Sequence, residues 1–123
     1  MTERPVILVV DDDAPILVLM RNLLREFGFD PVAAASGAQA LVEAQRKTPD
    51  LILLDRNMPG MSGDDVLAAM RSDGALSTVP VLMLTGEPMD ADEIARVGAN
   101  AAVMKPFDVP ALVAMIRSHV NRG

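Results

Sequence analysis

The chain has no cysteine, no tryptophan and no tyrosine. Without cysteine it can form no disulfide and no thiolate metal site, which suits a reducing compartment. Phe27, Phe29 and Phe107 are its only aromatic residues, so platforms that stack bases or sugars are poor candidates. Lysine is nearly missing too, since the cations are nine arginines with only Lys47 and Lys105. The 17 acidic residues against 11 basic ones leave a formal net charge of −6, the wrong sign for a chain that itself grips nucleic acid. No apolar run approaches the length of a bilayer span, and no signal-peptide pattern opens the chain. The expectations are therefore no membrane contact, no direct nucleic-acid binding and a cytoplasmic location.

What remains is a sequence of 123 residues, half of them hydrophobic, which is enough for one core and one domain over 1–123. The methionines at 20, 70, 83 and 115 fall inside apolar patterns and read as core fillers. Short apolar runs alternate with helical patterns along the whole chain. The runs are VILVV (6–10), a weak PVAAA (31–35), LILL (51–54), VLML (81–84) and AAVM (101–104). Runs with no polar alternation imply strands covered on both faces, as in a parallel sheet.

Between them lie helices with start signals. Asp13 caps a pattern of Ile16, Met20, Leu23, Leu24 and Phe27 that stops at Gly28. Ser36 with Gln39 reads as a capping box, and Ser62 with Asp65 as a looser one. Asp90 with Glu93 opens a short helix stopped by Gly98, and Asp108 with Pro110 starts the last helix. Five β/α units joined by right-handed crossovers give a three-layer α/β/α sandwich with five helices. Its five-stranded parallel sheet is expected in the flavodoxin-like order 2-1-3-4-5.

In such a sheet ligands bind beyond the carboxyl ends of the strands, where the strand order reverses. The residues there are Asp11, Asp12 and Asp13 after strand 1, Asp55 after strand 3, Thr85 after strand 4 and Lys105 after strand 5. Carboxylates converging from two strands repel one another unless a cation sits among them. An all-oxygen cluster without His or Cys suits a hard ion, and Mg2+ held by few carboxylates fits best. With the Lys105 ammonium and the Thr85 hydroxyl nearby, the site can match a phosphoryl group on an aspartate from several directions. Taken singly, each residue has an ordinary reading as a loop acid, turn residue or surface lysine; their joint placement carries the assignment. Asp13 reads as a helix cap and His119 as a boundary residue of the last helix.

The segments VVDDD, LLDRNMPGMSG, VLMLTGE and GANAAVMKPF together resemble the receiver domains of two-component response regulators, of the CheY-like layout, over essentially the whole chain. The resemblance implies that Asp55 accepts a phosphoryl group from a phosphohistidine on a sensor histidine kinase or a histidine phosphotransfer protein. It implies that Asp12 and Asp55 bind Mg2+ directly with the Asn57 main-chain carbonyl, and Asp11 mainly through water. Thr85 would move toward the phosphoryl group, Lys105 would pair with it, and the Lys105–Pro106 bond would be cis. On this reading the protein is a phosphorylation-dependent switch for partner binding, not an enzyme beyond its own phosphorylation and dephosphorylation. Two departures stand out. Ala102 sits where the family often has an aromatic residue in strand 5, and Arg56 follows the phosphoacceptor. A haloacid-dehalogenase-like phosphatase, using Asp11-Asp12-Asp13, is the enzyme alternative, against which stand Pro15 and the short chain. A receiver-like scaffold that carries no phosphate is the third reading, and the set Asp55, Thr85 and Lys105 speaks against it. Met1 and the linker-free ending SHVNRG read as a stand-alone receiver.

Overall fold

The apolar runs become strands because every residue in three of them can be buried. The computed structural model describes residues 4–120; residues 1–3 and 121–123, and with them the expectations read from Met1 and the chain's ending, lie outside the described residues. Its elements alternate throughout: β1 (Val6–Val10), α1 (Ala14–Glu26), β2 (Asp30–Ala34), α2 (Gly37–Arg46), β3 (Leu51–Asp55), α3 (Gly63–Arg71), β4 (Val81–Thr85), α4 (Ala91–Val97), β5 (Ala101–Met104) and α5 (Val109–Val120). All five strands are parallel and lie in the order β2-β1-β3-β4-β5.

Side chains alternate across the sheet and divide the core in two. Leu8, Val10, Ile52, Leu54, Val81 and Met83 pack with Ala40 and Ala44 of α2 and with Val66, Leu67 and Met70 of α3. Ile7, Val9, Leu51, Leu53, Leu82 and Leu84 pack on Leu17, Met20 and Leu24 of α1 and on Leu112, Val113 and Ile116 of α5. Each fully buried leucine contributes about 2 kcal/mol relative to an exposed one, so β1, β3 and β4 form the rigid centre. Met20, Met70 and Met83 are buried in these layers, whereas Met115 is only partly covered.

Two local details differ from the sequence reading. Strand β2 covers 30–34 rather than 31–35, because Asp30 N–H already bonds Pro5 C=O at 2.9 Å while Ala35 N–H turns to the Gln39 side chain at 2.8 Å. Gln39 thus reaches past the Ser36 N–H, although Ser36 Oγ still accepts from Gln39 N–H at 3.1 Å. The Ser62–Asp65 box, by contrast, is complete in both directions. Helix α4 ends as expected at Gly98, whose φ of 90° is a left-handed conformation that favours glycine. This helix buries none of its residues. Among the described residues no helix is long and apolar enough to cross a membrane.

Candidate functional site

The residues at the carboxyl ends of the strands are held by the same ladders as the strands themselves. Asp11 N–H bonds Ala34 C=O at 3.1 Å, Arg56 N–H bonds Leu84 C=O at 2.9 Å, and Lys105 N–H bonds Thr85 C=O at 2.8 Å. Each acid or base therefore starts from a fixed backbone. Asp11, Asp12 and Asp55 present carboxylate oxygens that all lie within 4.8 Å of one another; Asp11 and Asp55 are buried and Asp12 is exposed. Lys105 reaches in from β5, with Nζ 3.0 Å from Asp55 Oδ1 and 3.6 Å from Asp11 Oδ2. The Lys105–Pro106 peptide is cis.

Burial pushes the Asp11 carboxyl above the usual carboxylate range, and the charges of Asp55 and Asp12 push the same way. The Asp13 N–H, 2.9 Å from Asp11 Oδ1, and the Lys105 ammonium oppose that shift. Asp13 itself turns away to cap α1, accepting from Ile16 N–H. Three oxygen donors and no nitrogen or sulfur make a set that fits a hard divalent cation, and a buried acid under mutual repulsion is what such a cation relieves.

The loop after β3 is drawn tightly under the site. Asn57 N–H donates to Asp55 Oδ1 at 3.2 Å, and Gly63 N–H closes the loop on Arg56 C=O at 2.9 Å. A Cβ at Gly63 would lie 2.6 Å from the Asp55 carbonyl oxygen and 2.7 Å from Arg56 Cα, which explains why the segment LLDRNMPGMSG ends in glycine. Thr85 is buried beside the crevice, but its hydroxyl is engaged by its own loop. It donates to Glu87 C=O at 3.0 Å and accepts from Glu87 N–H at 3.1 Å. His119 lies remote from this cluster in the sequence and spends Nδ1 on Met115 C=O at 2.9 Å, as befits a boundary residue.

Next to the carboxylates opens a cleft of about 670 Å³. Asp11, Asp12, Asp55 and Lys105 form its polar wall, while Ile16, Leu19, Leu23, Phe107 and Val109 form an apolar one between α1 and the start of α5.

One functional candidate carried no sequence signal beyond its position. Arg56 forks onto Asp64 with Nε–Oδ1 at 3.1 Å and Nη2–Oδ2 at 3.2 Å, and Nη2 also reaches Glu93 Oε2 at 2.9 Å. Its hydrogen bonds, to Asp64 first and then to Glu93, hold the guanidinium above its ordinary pKa. Acids in the first turns of both α3 and α4 were the available hint.

The profile of the response regulator receiver domain matches residues 7–117. The DNA-binding response regulator MtrA of Mycobacterium tuberculosis is 42% identical over 99% of this chain. The sensory transduction protein RegX3 of Mycolicibacterium smegmatis is 37% identical over 95% of it. These matches cover 53% and 51% of the relatives, so the chain spans about half the length of the curated proteins it resembles. Among solved structures, the chemotaxis protein CheY4 of Vibrio cholerae superposes with a TM-score of 0.88 at 32% identity, covering 94% of this chain and 98% of that one. The receiver domain of the sensor histidine kinase PA1611 of Pseudomonas aeruginosa, solved with a magnesium ion in its active-site cleft, gives 0.87 at 26% identity, covering 96% and 98%.

Proposed function

The chain belongs to the receiver domains of two-component response regulators, and from that premise we propose that Asp55 is its phosphoacceptor. Receiver domains serve phosphorylation-dependent signalling and interact with histidine kinases. The reading proposed for these residues is finer. An Asp55 carboxylate oxygen attacks the phosphorus of a phosphohistidine on a sensor kinase or phosphotransfer protein. A P–O bond forms as the P–N bond breaks, and the imidazole leaves with the electron pair and takes a proton from solvent.

The observation that carries the assignment is the Lys105 ammonium 3.0 Å from Asp55 Oδ1, inside a crevice that also holds Asp11 and Asp12. Lys105 then pairs with the anionic phosphoryl oxygens as they accumulate charge. Asp11, Asp12, Asp55 and the Asn57 carbonyl are the groups proposed to hold Mg2+, Asp11 mainly through water. When bound, the ion supplies charge neutralisation for the phosphoryl oxygens. The all-oxygen donor set supports this choice, as does the magnesium in the PA1611 receiver cleft. Thr85 supplies a further hydrogen bond once its hydroxyl leaves Glu87 C=O.

We take residues 1–123 to act as one receiver domain in the cytoplasm, catalysing only its own phosphorylation and dephosphorylation and passing the signal to a protein partner. The net charge of −6 supports leaving nucleic-acid contact off this surface, although MtrA is named a DNA-binding protein.

Intact-mass and peptide mapping after incubation with acetyl phosphate and Mg2+ tests the reading. One phosphoryl group on Asp55, lost in Asp55→Asn, is the expected result. Labelling of another residue at the wild-type rate, or steady turnover from Asp11, overturns it.

A further inference from the structure

Helix α4 has seven residues and none of them is buried, so its position depends on what holds its ends. At its start, the hold comes from the residue next to Asp55. Arg56 is pinned at the backbone by Leu84 C=O and Gly63 N–H, and its side chain is forked by Asp64. From that fixed base Nη2 holds Glu93 at 2.9 Å. Glu93 in turn is tied to Asp90, whose Oδ1 accepts from Glu93 N–H at 2.8 Å. Asp90 ends the short loop that begins at Gly86 and contains Glu87, the residue whose main chain occupies the Thr85 hydroxyl.

This chain of contacts has a mechanical consequence. For Thr85 to donate into the crevice, its single hydroxyl proton must leave Glu87 C=O, and as Oγ1 is drawn toward Asp55 the Glu87 N–H that donates to it must follow. The loop therefore loses one of its two bonds to the Thr85 hydroxyl and must shift to keep the other. Gly86 has open space where a Cβ would stand and can accommodate the change. At the other end of the loop, however, Glu93 is held by an arginine that cannot follow. Nor does residue 102 offer a bulky side chain to drive the movement from β5, since Ala102 carries only a methyl group.

We propose that Arg56 is a latch: by holding Glu93 it keeps the 86–90 loop closed on Thr85 and so sets the cost of bringing that hydroxyl to an anion on Asp55. Arg56 is thus a positioning residue, acting through Glu93 and the loop. The inference rests on the reading of Asp55 and Thr85 given above. A partly exposed ion pair suits the task, because it biases a two-state equilibrium several-fold yet breaks under the pull of a ligand.

Beryllofluoride with Mg2+, a mimic of the phosphoryl group, separates the latch from the site. Glu93→Ala removes the latch while leaving the Arg56–Asp64 fork, and Ala is well tolerated in an exposed helix. In the ligand-free variant, hydrogen exchange across residues 86–93 is expected to quicken several-fold. The beryllofluoride concentration at half saturation is expected to fall by about threefold to tenfold. Higher ionic strength narrows the gap between variant and wild type, and Arg56→Lys, which keeps one charge but not the fork, falls between them. A gain in affinity is the decisive readout, since loss of a merely structural contact does not produce one. Unchanged exchange and unchanged beryllofluoride affinity in Glu93→Ala overturn the latch. A wild type that binds no beryllofluoride overturns the reading of the site instead, a result the ligand-free exchange does not depend on.

Discussion

Arg56 and Arg71 act at opposite ends of the same helix, and they do so with opposite chemistry. Arg71, from the last turn of α3, makes no contact with a carboxylate among the described residues. Its Nε donates to Gly98 C=O at 2.9 Å, Nη1 to the carbonyls of Leu76, Ser77 and Val79 at 3.3, 3.2 and 2.8 Å, and Nη2 to Asn100 Oδ1 at 3.2 Å. Burial lowers its pKa from the ordinary value, whereas hydrogen bonds to two acids raise that of Arg56. Neutral main-chain acceptors are set by the fold and must be given up together. Carboxylates on helix ends can be exchanged one at a time. The far end of α4 is therefore an anchor, and the end nearest Asp55 is the one free to respond.

Removing the anchor is expected to do the most damage. Arg71→Ala leaves several partly buried carbonyls without this donor and should destabilise the protein by about 3 kcal/mol. A shift of the urea midpoint at constant slope measures it. A loss below about 0.5 kcal/mol would show that water replaces the guanidinium and would remove the contrast with Arg56.

The next largest effect falls on the base from which Arg56 works. Gly63→Ala forces a Cβ against the Asp55 carbonyl and Arg56 Cα, both main-chain atoms, so the loop must shift. A cost of about 2 kcal/mol is expected, together with slower labelling of Asp55. Wild-type stability and labelling in this variant would show that the close approach is not required.

Asp11 sharpens the comparison, because its burial is only partly compensated. In the native state its carboxyl is raised by burial above the unfolded value. The folded protein thus binds more protons than the unfolded one between those two values, and stability falls as pH rises through that window. Above the raised native value, and without metal, the penalty is fully present. Asp11→Asn should therefore be stabilising by about 1 kcal/mol there, with the advantage vanishing below the ordinary carboxylate range. Millimolar Mg2+ should reverse the order, since it stabilises the wild type by ligand linkage. Thermal melts across pH, with and without Mg2+, decide it; a wild type more stable than the variant in metal-free neutral buffer contradicts the reading.

The smallest expected effect on stability is that of Glu93→Ala, under about 1 kcal/mol at low salt and near zero at high salt. A large salt-independent loss, read from denaturation curves at two ionic strengths, would make Arg56 a second anchor and end the comparison.

The sequence disclosed the site better than it disclosed what surrounds it. Unbroken runs such as VILVV and LILL ended in charge, and a parallel sheet leaves such charges only at its carboxyl edge; Asp11, Asp12, Asp55 and Lys105 were readable for that reason. Strand β2 was placed one residue late because its small residues give a weak pattern. The engagement of Thr85 with Glu87 depends on a loop conformation that composition does not encode. Arg56 meets acids 8 and 37 positions away, separations with no periodic signature. Arg71 is harder still, since carbonyl acceptors leave no trace in residue identity.

The three backbone bonds that carry Asp11, Arg56 and Lys105 onto neighbouring strands bear on how this gene can change in length. The spacing of the crevice is written in strand register, and one residue inserted within β3 would turn Asp55 to the opposite face of the sheet. The turn at residues 47–49 sits at the other end of the strands, and Thr48 there is exposed. Insertions beside Thr48 are expected to change the outline of the molecule and leave the distances between Asp11, Asp55 and Lys105 as they are.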